Sequence, residues 1–391
     1  MADYTKYNGV AAADIVKVDG VAVADIVKID GATKPSTGTT TATRWVVAVE
    51  NGFIAHASNS DRTSWTGYDG TDGTNPGPDN HADGIGFGKD NSGNGIYVAT
   101  RNAAARELTV SGTDVTNTST WTNVDIEGSE NERFMDVVWG ARSDGTAAGT
   151  WMAVGDANGP GSDSHVYRST DGGANWTSVE LSGLTGHQQN DFINGIASDG
   201  AGKWMFALDN RIYYSTDDGA SFAVSTPTNL SAVGRPQGII FTNNSWVLAY
   251  SRSSKIKFRS CAASDITDWG TELGGGDLDT MTHHSNGQNV KLAAANGRVC
   301  AISETDDDLI YFDVNGKTIS NQGKVDLSMS GDKAKDIATD GTTWLIAAVD
   351  GDIWESTDAG ESWSQIVNGF QADGSNTLDM ESITCDVVLP L

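Results

Sequence analysis

A chain of 391 residues in which 52 acidic side chains outweigh 25 basic ones, for a net charge of −27, carries a field that repels nucleic acids and anionic lipid headgroups. Its 46 glycines, with Thr, Ser, Asn and Asp crowded between short apolar runs, point to many short strands joined by tight turns rather than to helices. Three cysteines, Cys261, Cys300 and Cys385, lack metal-ligand spacing, which argues against a disulfide or zinc framework and for a reducing compartment.

The chain opens MADYTKYNG, without the basic and apolar regions of a secretory leader, and no apolar run is long enough to span a bilayer. Two 11-residue copies follow, GVAAADIVKVD from Gly9 and GVAVADIVKID from Gly20. Their apolar runs, Ile15, Val16 and Val18, then Ile26, Val27 and Ile29, sit between Gly and Asp turn signals and predict small β-hairpins. An arm this small buries little of its own apolar surface, so residues 1–35 are expected to dock on a partner through these side chains. Residues 36–43, rich in Ser and Thr, read as a linker.

From residue 44 to 391 a longer repeat takes over. STDGGANWT (169–177), STDDGASFA (215–223) and STDAGESWS (356–364) share one pattern; their aromatic residues, Trp176, Phe222 and Trp363, are separated by 46 and by 141 residues, the latter three steps of 47. Equivalent positions at Trp65, Trp121, Trp269 and Ile319 complete seven units. Each unit has an apolar run that reads as its most buried strand, beginning near Trp45, Ile96, Trp151, Trp204, Trp246, Val299 and Trp344. A short strand precedes that run, a half-alternating one follows it and a last one leaves the motif turn, so four strands in each of seven units predict an all-β, seven-bladed β-propeller. The first unit lacks its innermost strand, and Ile383–Leu389 is expected to supply it and close the ring.

The three full motifs are Ser169/Asp171/Gly173/Trp176, Ser215/Asp217/Gly219/Phe222 and Ser356/Asp358/Gly360/Trp363. Physically, the carboxylate can accept backbone N–H bonds within a turn, the Gly permits positive φ and the aromatic ring pins the turn to its sheet. The pattern resembles the Asp-box, also called the BNR repeat, and the chain thereby resembles the Asp-box β-propellers, which include sialidases and many non-enzymatic proteins. The resemblance implies that the motif joins the two outer strands of a blade, at the end opposite the ligand-binding loops. It makes these aspartates turn caps rather than metal ligands or catalytic carboxylates.

A sialidase needs an arginine triad, a Tyr/Glu pair and a general acid. The family's Arg-Ile-Pro signature is replaced by ATRWVVAVENG, and the spacing of Arg44, Arg133, Arg211, Arg235 and Arg298 singles out no three. His283-His284 lacks a third ligand nearby, Glu304–Asp308 lacks the ligand order of a calcium loop, and the Gly-rich runs at 84–88 and 274–276 do not join a strand to a helix. No catalytic, cofactor or metal residues are predicted. The 12 tryptophans mostly fall at repeat-equivalent positions and read as core. The long polar loops at 67–85, 123–133, 156–164 and 183–191 are expected to share one face, where a host glycan or receptor could bind.

The opening KYNGVA and the tandem GVAxADIVKxDG resemble the N-terminal segments of virion structural proteins of marine tailed bacteriophages, cyanophages included. That resemblance implies a virion component, made in the host cytoplasm, whose arm binds other virion proteins while the propeller is displayed, with a homo-oligomer on the particle as one arrangement. Neither nucleic-acid binding nor membrane insertion is expected. The contrasting readings are a cellular assembly factor resembling that of photosystem II, which would want a secretory signal and a basic patch, and a glycan-binding or sialidase-like protein.

Overall fold

A computed structural model describes residues 42–50, 53–68, 83–102, 106–117, 120–126, 132–157, 166–181, 193–208, 211–225, 236–252, 255–273, 290–303, 308–329, 333–371 and 378–389, with six two-residue strands before residue 34. The chain divides into two compact units near Thr39 and Thr40.

In the first unit Lys6–Tyr7 pairs with Val10–Ala11, Lys17–Val18 with Val21–Ala22, and Lys28–Ile29 with Ala32–Thr33, all antiparallel. The sequence between the paired strands is Asn-Gly once and Asp-Gly twice, the dipeptides favoured in two-residue hairpin connections. The pairings therefore straddle the junctions of the 11-residue copies instead of falling within them. Val18 and Ile29 belong to these strands, whereas Ile15, Val16, Ile26 and Val27 lie outside the described residues.

The second unit is a ring of seven antiparallel sheets with no α-helix among the described residues. Blades 2, 3, 4, 6 and 7 have four strands in simple sequence order, from Ile85–Lys89 in blade 2 to Ser364–Val367 in blade 7. Each innermost strand lies against that of the next blade, round to Met380–Cys385 against Ile85–Lys89. The apolar run of each unit becomes its second strand, as in Trp204–Leu208 and Trp344–Ala348, which are buried at every position. Trp45, Trp151, Trp204, Trp246 and Trp344 occupy equivalent places there and are at most 1% exposed. The core consists of layers between neighbouring blades: Val98 and Leu108 of blade 2, for example, share a cluster with Val137, Trp151 and Tyr167 of blade 3.

Two expectations need correction. The strand that completes blade 1 is Met380–Cys385, not Ile383–Leu389; it pairs antiparallel with Arg44–Val49, with Cys385 opposite Trp45 and Met380 opposite Val49. It ends where Asp386 turns its carboxylate back, accepting the backbone N–H groups of Thr43 (2.7 Å) and Arg44 (3.0 Å), so Val387–Leu389 passes beyond the sheet and lines the axial cavity. Among the described residues blade 5, in turn, has three strands rather than four, Pro236–Thr242, Ser245–Arg252 and Lys255–Ala262. Its outermost position is taken by an irregular strap, residues 270–273, held to the sheet by the Gly270 N–H on the Ser260 carbonyl (2.8 Å) and by a reciprocal pair between Phe258 and Leu273 (3.2 and 2.8 Å). Trp269 fills the core just ahead of the strap.

Candidate functional site

In an up-and-down blade the turns between strands one and two and between strands three and four lie at one end, and the remaining connections at the other. The three Ser-x-Asp motifs are third-to-fourth-strand turns of blades 3, 4 and 7. In blade 3 Ser169 Oγ donates to Asp171 Oδ1 (2.8 Å) and accepts from the Gly173 N–H (3.0 Å), while Asp171 Oδ1 also accepts from the Asn175 N–H (2.9 Å). Ser215 and Asp217, and Ser356 and Asp358, repeat this pattern at 2.7–3.0 Å. Trp176 and Trp363 donate their indole N–H to the carbonyls of Gly173 and Gly360, while Phe222 packs on Phe206 with ring centroids 5.0 Å apart. Gly173, Gly219 and Gly360 have φ of 83°, 76° and 85°, a conformation that L side chains rarely adopt. Burial of each of these carboxyls opposes ionisation, but the hydrogen bonds they accept prevail and hold all three below the usual carboxylate range.

These turns also stitch blades together. Arg168 Nε of blade 3 donates to the Asp218 carbonyl of blade 4 (2.8 Å), and Ser143 caps the Asp218 carboxylate through its N–H (2.7 Å) and hydroxyl (2.8 Å). Arg298 of blade 6 donates to the Ala359 carbonyl of blade 7 (3.1 Å). The motif carboxylates are thus engaged in turn-forming bonds at the end of the ring opposite the connections between blades.

At the other end the axis carries a feature that loop-by-loop reading missed. Aligning the innermost strands on Ile85, Val137, Ile196, Ile239, Leu292, Ile337 and Ile383 places Gly84, Asp136, Gly195, Gly238, Lys291, Asp336 and Ser382 in one register. The signal was present in the repeats, because each of these residues directly precedes the apolar residue of its strand. The innermost strands of all seven blades line an axial cavity of about 310 Å³. A smaller polar space of about 90 Å³ adjoins Asp136, Asn194, Lys291, Asp336 and Ser382.

The polar groups of this ring reach to neighbouring blades. Asp136 Oδ2 accepts from the Ile196 N–H (3.3 Å), Asp336 Oδ2 from the Ile383 N–H (2.9 Å) and the Ser382 hydroxyl, and Ser382 Oγ from the Ile85 N–H (3.1 Å). Lys291 Nζ donates to the Asp83 carbonyl (2.8 Å). Asn194 gives its amide N–H to the Pro236 carbonyl (2.8 Å), while its buried Oδ1 accepts no hydrogen bond among the described residues. Burial pushes Asp136 up to about 6, partly offset by Lys291 and the Ile196 N–H and reinforced by the Asp336 charge.

A raised folded-state pKa means that the protonated acid is the form favoured by folding. The contribution of Asp136 is fully present below about 3.8 and is lost as pH rises through about 6. Asp136→Asn keeps a carbonyl oxygen for the Ile196 N–H and removes the charge. Its melting temperature is expected to exceed that of the parent at pH 8, by the equivalent of about 1–3 kcal/mol, and the difference should vanish near pH 4. A gap that does not change with pH would rule out titration of Asp136 as its source.

The other singled-out residues do not converge. Arg44 lies 3.8 Å from Asp114, Arg298 is bound to Asp313 (2.6 Å) in blade 6, and the side chains of Arg133 and Arg235 fall outside the described residues. His283-His284, residues 304–307, Gly274–Gly276 and most of the four long loops also fall outside them. Among the described residues no group of three or more His, Cys, Asp or Glu is placed to hold a metal. The cysteines are buried, and burial pushes the Cys261 thiol up to about 12.

No protein-family model matches the chain, and no curated protein does. Solved structures do resemble it. An ancestral GH74 enzyme aligns with a TM-score of 0.57 at 13% identity, covering 85% of this chain and 46% of that one. YCF48 bound to D1 peptide aligns at 0.51 and 14% identity, covering 81% and 92%, and YCF48 from Cyanidioschyzon merolae at 0.47 and 17%, covering 73% and 84%. At these identities the first two likenesses are of fold alone, and the seven sheets make that fold a seven-bladed β-propeller.

Proposed function

We propose that this chain is a non-enzymatic structural protein of a tailed-bacteriophage virion, in a tail, fibre, neck or capsid-decoration position, with an Asp-box propeller displayed for adhesion or as a spacer. The observation that carries this reading is the arm: two nearly identical 11-residue copies in a unit of its own, paired among the described residues as hairpins of two residues against two. Isolated two-stranded hairpins are marginal in water even when longer, so a segment built of them gains stability from a surface to lie on. Other virion proteins are the partners the arm is read to fit, and the net charge of −27 agrees with a partner other than DNA. The motif aspartates, engaged in turns, are free for no chemistry, which fits a display module.

The test is peptide mass spectrometry on purified DNA-containing particles, coupled with deletion of residues 2–33. The full chain should copurify with particles, and the deleted chain should melt as the parent does yet be absent from them. Recovery of the full chain only in soluble or membrane fractions would overturn the virion reading in favour of a cellular assembly or glycan-binding factor.

A further inference from the structure

The charges around the small polar space beside the axis do not balance. Its charged lining residues among those described are Asp136, Asp336 and Lys291, two carboxylates against one ammonium. Both Lys291 and Asp336 act on Asp136 through space. Lys291 Nζ is turned across the ring to the Asp83 carbonyl (2.8 Å), and Lys335, next to Asp336 in sequence, is paired with Glu381 (3.1 Å). Asp336 is well supplied with donors: the Ile337 N–H (2.8 Å), the Ile383 N–H (2.9 Å) and the Ser382 hydroxyl. Asp136 receives its bond from the next blade, the Ile196 N–H, at 3.3 Å, beyond the usual limit of about 3.2 Å. A buried carboxylate compensated this weakly is costly, and a positive charge placed beside it lowers that cost.

Oxygen donors for such a charge are already in position. Asn194 Oδ1 is fully buried and accepts no hydrogen bond among the described residues, while the amide N–H of the same side chain reaches the Pro236 carbonyl of blade 5. Asp136 Oδ2 lies on this same side of the ring: a Cβ added at Gly195, the residue after Asn194, would stand 3.4 Å from that oxygen and 3.9 Å from the Ile239 nitrogen of blade 5. The glycine therefore keeps open the room that a side chain would fill. The space of about 90 Å³ is several times the roughly 10–15 Å³ that one water requires, so an ion enters with part of its hydration shell. A carboxylate, an amide carbonyl and water are hard donors, suited to hard cations rather than to thiophilic or imidazole-seeking metals.

We propose that this axial space binds a monovalent alkali cation, Na⁺ or K⁺, between the Asp136 carboxylate and Asn194 Oδ1. Charge decides for a monovalent ion: one positive charge balances the two carboxylates and Lys291, whereas a divalent ion overshoots by one and meets the lysine ammonium in a buried setting. The ion thereby ties blade 3, through Asp136, to blade 4, through Asn194, at the end of the axis where the connections between blades lie. This inference is independent of the virion reading.

The test is thermal melting of the full chain at about pH 8 in sodium, potassium and choline chloride, each at roughly 0.3 M, so that general screening and the anion are constant. The parent should melt about 2–4 °C higher in the sodium or the potassium salt than in choline chloride. Asp136→Asn and Asn194→Leu should each lose most of that difference, and Lys291→Met, which removes the competing ammonium, should enlarge it. Should the variants fail to fold, crystals of the parent grown in sodium chloride and in rubidium chloride provide a second measurement, with an ion expected within bonding distance of Asp136 and Asn194 Oδ1. Equal melting in the three salts, a difference retained by both Asp136→Asn and Asn194→Leu, a larger shift from magnesium chloride at equal ionic strength, or water alone at the site in both crystals would each overturn the proposal.

Discussion

Truncation after Gln371 is expected to unfold the propeller. It removes Met380–Cys385, whose Met380, Ile383 and Cys385 are at most 4% exposed in the cluster that joins blades 7 and 1. Burying side chains of this size is worth about 1.5–3 kcal/mol each, and the truncation also opens the inner edge of Arg44–Val49 to water. It further deletes Asp386, which caps Thr43 and Arg44 from 343 and 342 residues away, and Ser382, which links Asp336 to the Ile85 N–H. The sum exceeds roughly 5 kcal/mol, comparable to the whole stability of an ordinary domain. Circular dichroism should show the cooperative transition abolished or moved far down. A melting curve like that of the full chain would mean that the ring does not depend on this strand.

Trp151→Ala is expected to cost about 3–5 kcal/mol, among the largest losses available to a single substitution. Trp151 is fully buried between blades 2 and 3, and its indole N–H reaches the Lys89 carbonyl of the preceding blade (3.1 Å), so truncation leaves a large cavity and an unpaired carbonyl. Trp176 of the motif makes the informative comparison. It is only partly buried and its N–H bonds within its own turn, so Trp176→Ala should cost about 1–2 kcal/mol. Urea unfolding of the two variants measures the difference. A larger loss at Trp176 than at Trp151 would place the stabilising contact in the turns rather than in the layers between blades.

What the sequence by itself determined is whatever is encoded locally and repeated. The 46- and 47-residue steps and the apolar runs such as RWVVAV and SWVLAY gave the seven sheets and their most buried strands. Asn-Gly and Asp-Gly pairs mark where short strands turn, because positive φ and a capping carboxylate are properties of a few adjacent residues.

Only the tertiary structure decided the rest. The closing strand lies three residues before its expected start because its register depends on Asp386 meeting Thr43 and Arg44 across the whole ring, which no local pattern records. That blade 5 shows no fourth strand among the described residues goes with Trp269 being drawn into the core just ahead of residues 270–273, which meet the sheet irregularly. The axial register of Asp136, Lys291, Asp336 and Ser382 brings together residues up to 246 positions apart, from Asp136 to Ser382, and Asp136 acquires its shifted ionisation only there. Composition counted those charges; closure of the ring determined which of them meet in a buried space.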